Sequence, residues 1–322
     1  PGVPGRLPFW KGDTLGRPAE LGEAVGALMR ELGSLSPDAA VVRAQEHGLD
    51  QYAAANLATY LAEQQAATRI LPTDRQVLVE RFRDELGDWR LVVHSPYGTP
   101  LHAPWALAIN ARLRERYDVD GSAVASDDGI VVRIPDSDAE PPTAELVAFD
   151  PDEIEQLVTD EVGGSALFAS RFRECAARAL LLPRRDPGRR SPLWQQRQRS
   201  AQLLEVARHH PRFPIIIETV REVLQDVYDL PGLVDVLRQL QRGTIRLVEV
   251  ATPSPSPFAA TMLFRYTGEF MYEGDTPLAE RRAATLSMDP ALLASVLGTV
   301  DLRELLDLDV IRDVESELQH TH

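Results

Sequence analysis

WRLVVHSPYGTPLHAPWALAINARLRERY, residues 89–117, is the stretch of this sequence that decides the predicted fold. Residues 89–95 combine β-branched and aromatic side chains, which is typical of a strand. Residues 103–117 place apolar side chains on one face and arginines on the other, which predicts an amphipathic helix. A strand followed by such a helix indicates a sheet that is covered by helices.

The residues after this helix extend the predicted sheet. Residues 122–134 carry Asp127-Asp128-Gly129 between apolar flanks, which is the signature of a hairpin turn. Residues 145–149 are predicted to form a further strand, and residues 244–251 a lone strand. We therefore predict an α+β fold that is mainly helical, with a small mixed or antiparallel sheet covered by helices and a helical C-terminal half.

Helical patterns occupy most of the remaining sequence. Residues 21–32 carry an apolar stripe, and Thr73 with Gln76 fits a capping box for a helix that ends at Gly87. Further helices are predicted at 51–68, at 165–182, from Leu193, at 214–228 and at 232–242. The predicted domains are an irregular arm (1–17), a unit of helices and a small α+β sheet (18–150) and a mainly helical unit (151–322).

The overall composition is that of a soluble globular protein, with 44% hydrophobic and 26% charged residues among 322. No apolar run approaches the roughly eighteen residues that a membrane span needs. The single cysteine, Cys175, excludes an internal disulfide and fits a reducing cytosol, so a cytoplasmic location is expected. A chain that begins at Pro1 rather than methionine predicts a piece of a longer protein.

Residues 171–199, RFRECAARALLLPRRDPGRRSPLWQQRQR, concentrate positive charge in an acidic chain. This arginine-rich segment holds nine arginines and two acids, a local charge of +7, whereas the formal charge of the whole chain is −15. Guanidinium groups beside an aromatic side chain such as Trp194 can contact a nucleic-acid backbone. They can equally form a surface that pairs with the acidic remainder of the fold, and charge alone leaves both interpretations open.

The predicted N-terminal arm carries an aromatic pair beside cations. Prolines and glycines exclude a helix from residues 1–18, and Phe9-Trp10-Lys11 lies at their centre, with Arg17 following. Trp10 could stack on a base while Lys11 and Arg17 hold phosphates. The alternative is that the indole fills the core and fixes the arm.

The motifs of common catalytic sites are absent from the sequence. An ATP-binding loop needs Gly-Lys-Ser/Thr, but the only lysine, Lys11, follows a tryptophan. The histidines lack metal-ligand spacing, Gly-x-Ser-x-Gly does not occur, and Cys175 is expected to be a buried structural thiol. We therefore predict no catalytic residue, no metal and no cofactor in this chain, and no enzymatic activity of the chain alone.

Several long blocks of sequence resemble one family in the same order. LPFWKGDTLGRPAEL (7–21), ERFRDELGDWRLVVHSPYG (80–98), SDDGIVVRIPD (126–136) and residues 163–200 are similar to the DEAD/H-associated region of the Lhr, or large helicase-related, proteins. These are superfamily-two DNA helicases. The resemblance implies a parent hydrolase with two ATPase domains and a winged helix. The ATPase domains, which lie outside this chain, would bind ATP and magnesium. It also implies 3′-to-5′ movement on single-stranded DNA and unwinding of duplexes, including RNA–DNA hybrids, in DNA repair.

The same resemblance implies that this region helps to enclose the tracking strand and that a tryptophan, matched here to Trp10, stacks on a base. The competing hypothesis is an interaction scaffold whose arginines form salt bridges within the chain or to the ATPase domains. The predicted nucleic-acid contacts are Trp10, Lys11, Arg17, Arg171, Arg173, Arg184, Arg185, Arg189, Arg190, Trp194 and Arg197.

Overall fold

A five-stranded sheet in the order β3-β4-β2-β1-β5 organises the structure. A computed structural model describes residues 16–85, 87–117, 123–135, 141–182, 193–210 and 212–264. Neighbouring strands are antiparallel except for β1 and β5, which are parallel. The mixed sheet among helices confirms the predicted mainly helical α+β fold. The strands are β1 Gln76–Arg83, β2 Trp89–His94, β3 Ala123–Ser126, β4 Gly129–Ile134 and β5 Arg246–Ala251.

Helices surround this sheet on both faces. α8 continues directly into a π-helical turn, Glu222–Val227, and a 3₁₀ turn lies at Ala144–Leu146. The helices are α1 Ala19–Gly33, α2 Pro37–Glu46, α3 Gln51–Thr68, α4 Thr99–Tyr117, α5 Ile154–Val162, α6 Ala166–Arg178, α7 Leu193–Arg208, α8 Pro214–Arg221, α9 Leu230–Gln241 and α10 at 257–264.

The two faces of the sheet contribute to different hydrophobic clusters because successive side chains of a strand point in opposite directions. Val79 and Leu91 join the main core, where Trp105 of α4 and Phe172 of α6 are also fully buried. On the opposite face, Val92 packs in a smaller cluster, whose other buried members are Phe82, Val131, Ala259 and Met262. A third cluster joins α1, α2 and α3.

The buried carboxylate of Glu80 attaches the segment that leads into α10 to the sheet face opposite the main core. Glu80 is inaccessible, and its Oε2 accepts a hydrogen bond from Nε2 of the equally buried His94 at 2.8 Å. Its Oε1 accepts from the amide of Ser256 and the hydroxyl of Thr252, both at 2.8 Å, and the Ser256 hydroxyl donates to Oε2 at 2.5 Å. Burial alone would raise the pKa of Glu80. The hydrogen bond and charge of His94 and the two hydrogen bonds from Ser256 nevertheless keep this pKa below its ordinary value.

The predicted helix from Thr73 to Gly87 is wrong. Residues 76–83 form β1, and Thr73 and Gln76 face each other across an isolated β-bridge. β1 is central in the sheet and buried on both faces, so its apolar residues form a run that helical and extended patterns share. The capping-box spacing of Thr73 and Gln76 therefore marks a turn that precedes a strand.

The predicted strand at residues 145–149 is also wrong. A 3₁₀ turn occupies Ala144–Leu146, and Nη1 of Arg112 donates to the carbonyl oxygens of Glu145, Leu146 and Ala148. One guanidinium thus takes carbonyl groups that a strand would offer to a neighbouring strand.

The predicted strand near residue 250 exists as β5 but is not alone, because it pairs with β1. The proposed domain boundaries stay predictions. In the described ranges, no helix is both long and apolar enough to span a bilayer.

Candidate nucleic-acid interface

Arg17, at the base of the predicted N-terminal arm, lies against the β3–β4 hairpin turn. The backbone N–H of Arg17 donates to Oδ1 of Asp127 at 2.8 Å, and its Nη2 forms an ion pair with Oδ1 of Asp128 at 2.7 Å. Nη1 donates to the carbonyl oxygen of Pro96 at 3.1 Å. We call these four residues the arm clasp. It fixes the point from which the chain runs back toward Trp10.

Asp127 joins the arm to the start of α4. Its Oδ1 also accepts hydrogen bonds from the backbone N–H of Thr99 at 2.9 Å and from the hydroxyl of Thr99 at 2.7 Å. Burial would raise the pKa of Asp127, but the donors of Arg17 and Thr99 outweigh it and keep the pKa below its ordinary value. One ionised carboxylate therefore holds the arm, the hairpin turn and the first residue of α4 together.

The arm base passes very close to the loop that follows β2. Gly98 has φ +88°, and a Cβ on this residue would lie 1.8 Å from the carbonyl oxygen of Arg17. A Cβ on Gly22 of α1 would lie 2.1 Å from the carbonyl oxygen of Pro96. Only glycine permits backbone contacts this close, so the arm base and α1 both pack directly against residues 96–98.

A neutral histidine supports this loop from inside the protein. His102 is fully buried, its Nδ1–H donates to the carbonyl oxygen of Ser126 at 2.6 Å, and its Nε2 accepts from the hydroxyl of Ser95 at 2.8 Å. Burial lowers the pKa of His102 to about 4. Both ring nitrogens are thus used to connect the loop after β2 with the hairpin.

We expect His102 to make the fold less stable in mild acid. The folded protein keeps this ring neutral down to a pKa of about 4, whereas an unfolded histidine takes up a proton near pH 6.5. Protonation therefore favours the unfolded chain as the pH falls from 6.5 toward 4, at a cost of about 2 kcal/mol between pH 7.5 and pH 5. Urea titrations at the two pH values measure this difference. A His102→Asn variant should show a smaller pH dependence, and an unchanged dependence would contradict the assignment.

Arg17 is more enclosed than its prediction as a phosphate contact assumes. Its side chain is 21% exposed, and its guanidinium already contacts a carboxylate and a backbone carbonyl. A phosphate contact by Arg17 stays a prediction. Trp10 and Lys11 lie outside the described residues.

The arginines of α6 make contacts within the chain. Nη1 of Arg171 lies 3.0 Å from Oε2 of Glu174, and both side chains are partly exposed. Nη2 of Arg173 contacts only the hydroxyl of Ser170, at 3.4 Å, among the described residues. These local partners leave part of each guanidinium accessible.

Arg178, by contrast, connects α6 to the π-helical turn. Its Nη2 pairs with Oε1 of Glu222 and lies 3.2 Å from the sulfur of Cys175, which is 3% exposed. Burial, and then the nearby Glu222, raise the pKa of the Cys175 thiol, which fits the structural role expected for it. Internal pairing of this kind is what the scaffold hypothesis expects.

The remaining predicted contacts lie outside the described side chains. α7 begins at Leu193 as predicted, but the side chains of Trp194 and Arg197 are outside the description. Arg184, Arg185, Arg189 and Arg190 fall in a range that the description does not cover. What sequence reasoning missed is the role of Asp127, which it read only as a turn residue.

The chain belongs to the DEAD/H associated family, whose model matches residues 71–259, as the resemblance predicted. Its relatives in this family are Lhr helicases. It is 61% identical over 320 residues to the Lhr helicase/probable uracil glycosylase of Mycolicibacterium smegmatis, and 52% identical over 326 residues to the Lhr helicase/uracil glycosylase of Escherichia coli. Each match covers 99% of this chain and 21% of the relative, so the chain spans about a fifth of their length.

A solved structure shares the fold. It is the Mycobacterium smegmatis helicase Lhr bound to ssDNA and AMP-PNP, which matches with a TM-score of 0.74 and 61% identity. The match covers 82% of this chain and 34% of that one. This chain is therefore similar to a part of a helicase that binds single-stranded DNA.

Proposed function

We propose that this chain is an accessory nucleic-acid-guiding domain of an ATP-dependent 3′-to-5′ DNA helicase of the Lhr type. In this proposal it lines the path of the tracking single strand. The observation that carries it is the 61% identity, over 82% of this chain, to a helicase solved with single-stranded DNA. The arm clasp supports it, because it gives the arm that bears Trp10 a fixed origin beside the sheet.

The clasp limits where the indole can act. Trp10 and Arg17 are seven positions apart, and an extended chain spans at most about 3.5 Å per residue, so Trp10 is tethered within about 25 Å of the clasp. An aromatic side chain on a short tether can stack on a base of a strand that passes this end of the sheet, while Lys11 contacts phosphate. Arg17 holds the base of the arm, and its remaining exposed part is a further proposed phosphate contact of this end.

The arginine-rich segment is the second part of the proposed path. Its charge of +7 attracts phosphates in a chain that otherwise repels them. Of its members on α6, Arg171 and Arg173 keep partly exposed guanidiniums. The proposal assigns further phosphate contacts to Arg184, Arg185, Arg189, Arg190 and Arg197, with Trp194 as an additional stacking side chain.

We expect Trp10→Ala to weaken the binding of single-stranded DNA by about 5- to 150-fold, since base–aromatic stacking contributes about 1–3 kcal/mol. Fluorescence anisotropy with a labelled oligonucleotide measures the change. Trp10→Phe should keep part of the affinity. Tyr52→Ala is the matched control, because Tyr52 is 83% exposed on α3 and belongs to neither the arm nor the arginine-rich segment. Equal affinities of the wild-type and Trp10→Ala chains would remove the stacking role.

The proposal also includes the parts that the parent would supply. The ATPase domains bind ATP and magnesium, a winged helix completes the enclosure of the strand, and RNA–DNA hybrids are among the duplexes that the parent unwinds. A cytoplasmic role in DNA repair belongs to the same proposal. This chain carries no ATPase motif, so we propose that it neither hydrolyses ATP nor unwinds DNA by itself.

A scaffold that packs against the ATPase domains without contacting DNA is the second candidate. The pairing of Arg178 with Glu222 favours it, as do exposed apolar side chains close to the arginine-rich segment. Leu180 is 62% exposed, and Ile217 of α8 is 55% exposed. This candidate predicts negligible binding of single-stranded DNA at low salt, which the same anisotropy titration tests.

A further inference from the structure

The loops at one end of the sheet lie side by side. β2 ends there, whereas β1, β4 and β5 begin there, as the pairing of Leu78 with His94, His94 with Gly129 and Gln76 with Arg246 requires. The arm clasp lies at the β4 side of this end. The start of β5 lies three strands away, and strands are spaced about 4.8 Å apart, so about 14 Å separates the two.

A cluster of arginines occupies the β5 side of this end. Arg238 and Arg242 are one turn apart at the C-terminal end of α9, and Arg246 is the first residue of β5. All three are exposed, and the backbone N–H of Arg246 donates to the carbonyl oxygen of the exposed Arg75 at 2.9 Å. We call Arg238, Arg242 and Arg246 the α9–β5 corner.

The carboxylates near this corner already have partners. Oδ2 of Asp235 accepts from Gln239 at 2.7 Å, and the carboxylate of Asp74 accepts two hydrogen bonds from Arg30. Glu249 pairs with Arg81 on the adjacent strand, at 2.9 Å.

The three guanidiniums of the corner consequently lack the carboxylate partner that several other arginines of the described ranges have. Among the residues that the structure describes, they form neither a side-chain hydrogen bond nor an ion pair. Arg114 and Arg221 are also exposed and Arg43 is partly exposed, yet each pairs with a glutamate. A strongly acidic chain thus leaves three neighbouring cations without a carboxylate, which makes them available to an external anion.

The chemistry of the corner fits a phosphate backbone better than a protein surface. The centre of a protein interface is usually apolar, but none of the large exposed apolar side chains in the described ranges lies in residues 238–246. Guanidinium groups match phosphate oxygens in two-point contacts and do not depend on the base sequence.

We propose that the α9–β5 corner is a second contact for the phosphate backbone of a DNA strand. This inference rests on the proposed function and adds to it a surface outside both the arm and the arginine-rich segment. A strand that passes the arm clasp reaches the corner along the same end of the sheet. The corner then holds the backbone about 14 Å from the clasp, the estimate obtained from three strand spacings.

The test is a triple variant of the 322-residue chain, Arg238→Ala, Arg242→Ala and Arg246→Ala. With a labelled 30-nucleotide single strand, we expect the dissociation constant to rise at least about tenfold at low salt. The slope of log affinity against log salt should become less steep by about 2, because about 0.7 is lost for each phosphate contact with a single strand. The loss should be the same for oligonucleotides of different sequence.

The matched control replaces Arg43, Arg114 and Arg221 with alanine, which removes the same charge from arginines that are paired internally. It should change the dissociation constant less than twofold. A corner variant in which all three arginines become lysine should keep the salt slope, and circular dichroism establishes that each variant is folded.

Equal effects of the corner and control variants would overturn the inference. If Trp10→Ala weakens binding and the corner variant does not, the guiding function survives and the corner has no part in it. If the wild-type chain does not bind DNA at low salt, both proposals fail.

Discussion

Replacing Glu80 with alanine is expected to destabilise the fold by about 3–5 kcal/mol, the largest effect that we predict for a single side chain. The carboxylate is inaccessible and accepts four hydrogen bonds, from His94, Thr252 and twice from Ser256. Its removal leaves these buried donors unsatisfied and creates a cavity between the sheet and the segment that leads into α10.

The location of the damage distinguishes this prediction from a general loss of stability. Hydrogen exchange of the Ser256 amide should become much faster in Glu80→Ala, because that amide donates directly to the carboxylate. Urea unfolding gives the free energy. The matched control is Glu249→Ala on β5, since Glu249 is partly exposed and pairs with Arg81. We expect about 1 kcal/mol or less for this control, and a similar loss in both variants would contradict the role of Glu80.

Replacing Gly98 with alanine is expected to destabilise the protein and to displace the base of the arm. Alanine at φ +88° is strained by about 1–2 kcal/mol, and its Cβ would lie 1.8 Å from the carbonyl oxygen of Arg17. Relief of this clash requires movement of the arm base, which adds about 1–3 kcal/mol. Under the proposed function, DNA binding through Trp10 should weaken as well.

Gly87→Ala is a close control for this substitution. Gly87 has φ +87°, so the backbone strain is the same, but a Cβ there would meet nothing within 4 Å. The difference between the two unfolding free energies therefore isolates the contact with Arg17. If Gly98→Ala were no more destabilising than Gly87→Ala, the arm base would not be seated against this loop in solution.

The strands were predictable where a turn sequence marks their ends. Asp127-Asp128-Gly129 indicated the β3–β4 hairpin correctly, and the helix at 103–117 exists as the larger part of α4. β1 was mistaken for a helix because it is central and buried on both faces, which removes the polar–apolar alternation. α2 was not predicted, although Ser36-Pro37 is a typical helix start.

The candidate site was predictable in charge but not in pairing. Counting residues locates the arginine-rich segment, yet the ion pairs depend on tertiary contacts between distant parts of the chain. Arg178 meets Glu222 across 44 positions, and Arg17 meets Asp128 across 111. The corner arginines were not predictable even from charge, because they lie in a stretch of ordinary composition. Only the engagement of the surrounding carboxylates distinguishes them.

The parallel pairing of β1 with β5 has a consequence for biosynthesis. Gln76 is aligned with Arg246, so this ladder joins segments 170 positions apart. During synthesis, the edge of β1 that pairs with β5 stays unpaired until β5 has been made. Such non-local pairing also slows folding. Until then β1 offers unpaired backbone groups to other chains. Expression fragments of this protein should therefore extend beyond Ala251, because shorter ones would leave the edge of β1 unpaired and prone to aggregation.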